Sequence, residues 1–82
     1  MGRVSGFDQR LHAKQRALRR YGLFLTDEDL VIIVRQIQAG NSRLLEQQGR
    51  VSIRMVVYRD VECRVVYDHR SRRIRTFLPN GE

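Results

Sequence analysis

The feature that most constrains the fold of this chain is a change in hydrophobic periodicity near Ser42. Before that residue, apolar side chains recur at the three- and four-residue spacing of an amphipathic helix. After it, short runs rich in β-branched residues are separated by short polar links, which is typical of successive antiparallel strands. The pattern predicts an α+β fold in which two N-terminal helices pack on a three- to four-stranded antiparallel sheet.

Two helices and four strands are predicted in a single domain spanning residues 1–82. Capping boxes mark both helix starts, one formed by Ser5 and Asp8 and the other by Thr26 and Asp29. The expected bounds are about 6–21 and 27–39 for the helices, and about 43–47, 51–58, 61–67 and 73–78 for the strands.

Alternation along the predicted strands divides their side chains between two faces. The face expected to pack on the helices consists of Val51, Ile53, Met55, Val57, Val61, Cys63, Val65, Tyr67, Ile74, Thr76 and Leu78. The helices are expected to meet it through Phe7, Leu11, Leu18 and Tyr21 of the first, and Leu30, Ile33, Val34 and Ile37 of the second. The opposite face is predicted to be basic with interleaved aromatic rings, and its candidate nucleic-acid-binding residues are Arg50, Arg54, Tyr58, Arg64, Arg73, Arg75 and Phe77.

The charge balance indicates a polyanionic partner. Sixteen basic residues oppose nine acidic ones, which leaves a net charge of +7, and all the basic residues except Lys14 are arginine. Arginine binds phosphate through two parallel hydrogen bonds and stacks on bases, although a GC-rich coding sequence also favours it. The expected partner is RNA or DNA phosphate, with RNA favoured. The alternative is an ordinary solvated outer face, because antiparallel sheets commonly leave one side in water.

Few side chains in this sequence suit catalysis. His12 is a candidate general acid or base because imidazole titrates near neutral pH, or it is a surface histidine. Glu62 is a candidate base for a ribose 2′-hydroxyl, or a cross-strand partner for arginine. The sequence has no metal-ligand spacing, phosphate-binding glycine loop or dinucleotide fingerprint. Neither a metal nor a cofactor is therefore expected, and catalysis would depend on side chains alone.

The expected location is the cytoplasm. Cys63 is the single cysteine, so an internal disulfide is excluded, and a buried thiol in a reducing compartment is the expected state. The N-terminus has no apolar run of the kind that a signal peptide requires. The longest apolar stretch, Leu30 to Val34, is far shorter than a membrane span, so no membrane association is predicted.

Several short motifs resemble those of a group of short bacterial and phage chains. In chain order they are His12-Ala-Lys-Gln-Arg16, Arg20-Tyr-Gly22, Leu25-Thr-Asp-Glu-Asp29, Ile37-Gln-Ala-Gly40, Val65-Val-Tyr-Asp68 and Ile74-Arg-Thr-Phe-Leu-Pro79. Together they are similar to short bacterial and phage chains grouped with the barnase, colicin and RelE superfamily of metal-independent ribonuclease toxins. The resemblance extends over about residues 7–79.

The resemblance implies helices followed by an antiparallel sheet whose open face binds RNA. It also implies that His12, Arg16 and Thr76 lie near an active cleft, whereas simple strand alternation places Thr76 on the packed face. A β-bulge would reconcile the two expectations. An acidic antitoxin or a host target would be the protein partner of such a chain.

Three functions are consistent with these features. The leading hypothesis is a nucleic-acid-binding domain, which in an enzymatic form is a metal-independent endoribonuclease using His12, Arg16, Glu62 and Thr76. The second is an RNA- or DNA-binding regulator that does not cut. The third is a small inhibitor or adaptor that docks on a host protein.

Overall fold

The computed structural model describes residues 6–80, with side chains for residues 10–80. Two helices precede a four-stranded antiparallel sheet, which confirms the predicted α+β fold. The elements are α1 (Gly6–Tyr21), α2 (Asp27–Gln38), β1 (Arg43–Gln48), β2 (Val51–Tyr58), β3 (Val61–Asp68) and β4 (Arg73–Leu78). The strand order β1-β2-β3-β4 is a meander, in which each link joins neighbouring strands. The capping-box residue Ser5 lies outside the described range.

One hydrophobic core lies between the helices and one face of the sheet. The predicted apolar stripe of α2 is confirmed, since Leu30, Ile33 and Ile37 are buried and Val34 packs against them. Cys63 is buried in this core as predicted, and burial raises the pKa of its thiol to about 11. The buried apolar members are Ala13, Ala17, Leu23, Leu25, Leu30, Ile33, Ile37, Val56, Cys63, Val65, Tyr67, Ile74 and Phe77.

The start of α2 is joined to the sheet through the carboxylate of Asp29. The predicted capping box is present: the Thr26 backbone N–H donates to Asp29 at 2.8 Å, and the Asp29 backbone N–H donates to the Thr26 hydroxyl at 3.2 Å. The same carboxylate accepts the Tyr58 hydroxyl at 2.5 Å and both of its oxygens lie 3.0 Å from the Arg59 guanidinium. Asp29 therefore fixes α2 against the turn between β2 and β3.

That turn consists of Arg59 and Asp60, which both have positive φ, 52° and 64°. A two-residue loop of this kind matches the twist of a hairpin but is usually formed by glycine or asparagine. The Arg59 side chain is held by Asp29 and also donates to the Phe24 carbonyl at 3.2 Å. These contacts offset the backbone cost of placing arginine in the left-handed region.

The packed side of α1 differs from the prediction. Ala13 and Ala17 are fully buried, whereas Leu11 and Leu18 are 44% and 49% exposed, so the predicted stripe is wrong at both leucines. The alanines have small side chains, which allow the helix to lie close against β4. The Phe7 side chain lies outside the described residues.

Tyr21 also packs α1 against the sheet, as predicted. Its ring packs edge-on against Phe77, with the ring centroids 6.3 Å apart. Its hydroxyl donates to the Leu78 carbonyl and accepts the Arg64 backbone N–H at 3.1 Å. The helix is thereby attached to the middle of β3 and the end of β4.

The face assignment of β2 is also reversed relative to the prediction. Residues directly opposite in an antiparallel pair share a face. In the observed register Val56 pairs with Cys63 and Ser52 pairs with Tyr67, and all four are buried. The side chains predicted to be packed, Val51, Ile53, Met55 and Val57, therefore lie on the open face. The reason is the two-residue turn, which places Tyr58 opposite Val61.

A β-bulge changes the alternation of β4. The register with β3 shifts between Val66 and Tyr67, which pair with Thr76 and Ile74 and leave Arg75 as the extra residue. Ile74 and Phe77 are consequently both buried, as is usual on either side of a bulge. The prediction is confirmed for Ile74. It is wrong for Phe77, which was expected to be outside, and for Thr76 and Leu78, which were expected inside.

We expect Asp29→Asn to lower the free energy of unfolding by about 1–2 kcal/mol at neutral pH, because it weakens a helix cap and the hydrogen bonds that a buried carboxylate accepts from Tyr58 and the half-exposed Arg59. Hydrogen bonds from Tyr58 and then Thr26, together with the Arg59 charge, lower the Asp29 pKa from 3.8 to about 2. A depressed folded-state pKa contributes stability that is complete above pH 3.8 and is lost as the pH falls to about 2.

Urea unfolding between pH 7 and about pH 2 measures this effect. The wild type should lose more stability than Asp29→Asn between about pH 4 and pH 2. The control is Asp60→Asn at an exposed turn position, which should stay within about 0.5 kcal/mol of the wild type at neutral pH. Parallel pH profiles for wild type and Asp29→Asn would contradict the assignment.

Candidate nucleic-acid interface

The predicted basic sheet face does not form as proposed, because three of its seven candidate residues lie elsewhere. Arg54 lies on the helix side, where it donates to the hydroxyls of Ser52 and Ser42 at 3.0 and 3.2 Å. The Tyr58 hydroxyl is bound to Asp29. Phe77 has no exposed surface, so its ring is not available to stack on a base. The reversed face of β2 and the bulge in β4 account for all three differences.

The centre of the open face is largely apolar instead. It includes Val51, Ile53, Met55 and Val57 of β2, Glu62, Arg64 and Val66 of β3, and Thr76 and Leu78 of β4. The same face carries polar residues at its margin, which are Arg43, Glu46 and Gln48 on the edge strand β1 and the Asp68–Arg73 pair at one end. Arg64 pairs with Met55 on one side and Leu78 on the other, and its Nε is shielded from solvent without a hydrogen-bond partner. Of the predicted sheet arginines, Arg64 is the one whose side chain lies on this face within its central region.

Arginines converge at one end of the sheet rather than on its face. Val51, the first residue of β2, pairs with Asp68, and Asp68 pairs with Arg73 at the start of β4. The β1–β2 turn, the β3–β4 turn and the beginning of β4 therefore meet at the same end. We call this surface the basic hairpin end, and it consists of the exposed residues Arg50, Arg70, Arg72, Arg73 and Arg75.

Asp68 is the carboxylate that organises the basic hairpin end. It is buried and accepts the backbone N–H groups of Arg70 and Ser71 at 2.9 and 3.2 Å. Its Oδ2 lies 3.7 Å from Arg50 and 3.8 Å from Arg75. Burial raises the pKa of Asp68, but these hydrogen bonds and the two arginines outweigh it and hold the pKa below its usual range. One carboxylate thus faces two guanidinium groups, those of Arg50 and Arg75, within an end of the sheet that carries five exposed arginines.

His69 fixes the β3–β4 turn to β2. Its backbone N–H donates to the Arg50 carbonyl at 2.7 Å, and its Nε2 lies 2.9 Å from the Ser52 hydroxyl. Its ring packs edge-on against Tyr67 at a centroid distance of 4.9 Å. The arginines on either side of it are therefore carried by a turn with several anchors.

A groove continues from the basic hairpin end between α2 and β4. Its volume is about 250 Å³. Its floor is aliphatic and its rim is basic, with Asp27 at one end. We call it the arginine groove, and it is lined by Leu30, Val31, Val34 and Ile74 on the floor and by Arg10, Arg35, Arg72 and Arg73 on the rim.

The proposed catalytic residues fall into two separate places. His12 Nε2 lies 3.3 Å from the Thr76 hydroxyl, and Arg16 follows one helical turn later on α1. The bulge turns Thr76 away from the core, which makes this approach possible. Glu62 lies elsewhere, because it is four residues along β3 from Val66, the partner of Thr76. That separation is about 13 Å, too far for His12 and Glu62 to act on one phosphate.

Four arginines of these surfaces were absent from the sequence-based set. Arg70 and Arg72 fall in the link between the last two predicted strands, and Arg10 and Arg35 fall in the predicted helices; none of the four was proposed as a site residue. The sequence did contain a signal for Arg70 and Arg72. A meander places alternate turns at the same end of the sheet, and Arg50 and Arg73 belong to that end. Arg10 and Arg35 required knowledge of how α2 crosses the sheet.

Two further features of the described residues concern metal ions and membranes. Across residues 6–80, no group of three histidine, cysteine, aspartate or glutamate side chains is arranged to hold a metal ion. No helix in that range is long and apolar enough to cross a membrane.

Comparisons of the chain with protein-family models, with curated proteins and with solved structures find no match.

Proposed function

We propose that this chain is a nucleic-acid-binding domain that holds a phosphate backbone at its basic hairpin end. The observation that carries the proposal is the convergence of five exposed arginines on two adjacent turns and the start of β4, with one buried carboxylate among them. Guanidinium groups bind phosphate oxygens in a bidentate manner, and exposed ones remain free to do so.

The size of the basic hairpin end suits several phosphates. Neighbouring strands are about 4.8 Å apart, so arginines carried on β2, the β3–β4 turn and β4 span about 10 Å. Each strand of a nucleic-acid duplex carries one negative charge for about every 3.4 Å of the duplex axis. One backbone crossing this end would therefore present about three phosphates to the five arginines.

Recognition at this end depends on the backbone rather than on the bases. Single-stranded nucleic acids are commonly held by stacking on exposed aromatic rings. Among the described aromatic side chains, Tyr67 and Phe77 are buried, and Tyr58 and Tyr21 use their hydroxyls inside the fold. The His69 ring at this end packs on Tyr67 and is bound to the Ser52 hydroxyl. Phe24 is exposed but lies beside Arg59, at the β2–β3 turn and thus at the other end of the sheet. RNA is the first candidate because the motif resemblance favours it.

Replacing Arg50, Arg70 and Arg75 by glutamine should weaken binding to a duplex RNA about tenfold near 0.1 M salt, because three phosphate contacts are removed. The slope of log affinity against log salt should become shallower by about two to three. Fluorescence anisotropy with labelled RNA at several salt concentrations measures both quantities.

The matched control for this experiment replaces three other exposed arginines by glutamine. They are Arg19, Arg20 and Arg43, which lie outside the basic hairpin end. It has the same net charge as the test variant and should retain most of the affinity. Equal losses in the two variants would show that binding follows net charge alone, which contradicts the assigned surface. Circular dichroism verifies that both variants are folded.

Ribonuclease activity is a second candidate, favoured by the contact between His12 and Thr76. In such a reaction His12 would accept the proton of a ribose 2′-hydroxyl, whose oxygen attacks the adjacent phosphorus. The bond to the 5′ oxygen breaks, that oxygen takes up a proton, and a 2′,3′-cyclic phosphate remains. Arg16 would stabilise the charge that develops on phosphorus oxygens. Binding ranks first because Glu62 is too distant to complete an acid–base pair with His12.

Incubation of the purified chain with total RNA in EDTA tests this second function. Cleavage that is lost in His12→Ala, with binding retained, would support it, since general acid–base catalysis typically contributes 10²–10⁴-fold. Leu11→Ala is the control, because Leu11 is the exposed neighbour of His12 on α1. RNA that stays intact at high protein concentration would exclude the enzyme and leave the binding proposal standing.

A further inference from the structure

The arginine groove combines two chemical features that phosphate binding alone does not require. Its floor is aliphatic: Leu30 and Ile74 are buried beneath it, and Val31 is 47% exposed within it. Its rim carries guanidinium groups from α1, α2, the β3–β4 turn and β4. An apolar floor with a charged rim is the pattern of a surface that receives an amphipathic partner.

The rim arginines are largely free of internal partners. Asp27 is the one carboxylate that lines the groove, and it is bound by Lys14 at 2.7 Å and lies 3.6 Å from Arg10. The hydrogen bond from Lys14 lowers the pKa of Asp27, so it remains ionised. Within residues 10–80, no carboxylate lies within ion-pair distance of Arg35 or Arg72. Positive charge on the rim is therefore left for a ligand.

We propose that the arginine groove docks an acidic amphipathic segment of a partner protein. Aliphatic side chains of the segment would fill the groove, and its aspartate or glutamate side chains would bind the rim arginines. A helix with apolar residues at three- and four-residue spacing and carboxylates beside them has this chemistry.

Other occupants fit the groove less well. Its volume of about 250 Å³ is below the roughly 300–1,000 Å³ of clefts that enclose small ligands. Nucleobases are usually held on aromatic or guanidinium planes, whereas this floor is aliphatic. A second copy of the chain would also carry a net charge of +7 and would be repelled. An acidic segment satisfies both the floor and the rim.

The probe for this proposal is a fluorescein-labelled synthetic peptide about four helical turns long, with leucines on one face and glutamates elsewhere. A second peptide of the same composition has its order shuffled, so that no apolar face forms. Fluorescence anisotropy near 0.1 M salt should show saturable binding of the first peptide to the full chain. The shuffled peptide should bind at least about tenfold more weakly, since it matches the charge but not the floor.

Two pairs of variants locate the contact. Val31→Asp should weaken binding of the amphipathic peptide about tenfold, because it places a carboxylate on the groove floor. Ile32→Asp is the matched control: Ile32 is 41% exposed on the same helix but does not line the groove. Arg35→Glu should have an effect similar to Val31→Asp, and Arg43→Glu on β1 should not. Thermal unfolding of each variant verifies that it is folded.

Several outcomes would overturn the proposal. They are equal binding of the shuffled peptide, equal losses in Val31→Asp and Ile32→Asp, or no binding of the peptide up to about 1 mM. Loss of peptide binding in the Arg50, Arg70 and Arg75 variant, with Val31→Asp unaffected, would place the peptide on the basic hairpin end. RNA binding that falls in Val31→Asp but not in Ile32→Asp would assign the groove to nucleic acid. Because Val31 and Arg35 lie outside the basic hairpin end, the proposal can fail while the nucleic-acid-binding function stands.

Discussion

The Asp29 carboxylate is the interaction on which the arrangement of helices and sheet depends. It caps α2 through Thr26 and binds Tyr58 and Arg59 at the β2–β3 turn, so it joins the two layers at one point. This two-residue turn sets which residues of β2 and β3 lie opposite each other. A contact at the beginning of a helix thereby helps to determine which side of each strand faces the core, and hence which arginines remain exposed.

Two buried carboxylates lie at opposite ends of the sheet. They make similar contacts but have different roles. Asp29 and Asp68 both accept backbone N–H groups and both face arginine. At Asp29 the single arginine is Arg59, whose guanidinium is occupied by the carboxylate and by the Phe24 carbonyl. At Asp68 two arginines, Arg50 and Arg75, lie 3.7 and 3.8 Å from the carboxylate, and three more exposed arginines belong to the same end. The carboxylate at the first end therefore binds its arginine closely, whereas most of the arginine charge at the second end has no close carboxylate.

The helices and strands were predictable from local patterns, because capping boxes, glycine stops and β-branched runs act over a few residues. The side of each strand that faces the core was less predictable from local patterns. The β2 face could have been derived, since Arg59 and Asp60 as a two-residue turn require Tyr58 and Val61 to share a face. The β4 bulge could not, because it follows from packing both Ile74 and Phe77 in one core. The same limitation applies to α1, where two alanines rather than two leucines are buried.

The charge at the basic hairpin end costs the free chain little stability, for a reason that also bears on the proposed binding of phosphate. Two unit charges about 10 Å apart in water repel by only about 0.4 kcal/mol, and salt at physiological strength screens much of that. Five exposed guanidinium groups, partly compensated by Asp68, therefore cost little stability. A polyanion that approaches gains attraction to all five at once and releases its condensed counterions. In the free chain these arginines repel one another weakly through solvent. With a polyanion present, each arginine can bind a phosphate directly, so the net electrostatic free energy becomes favourable.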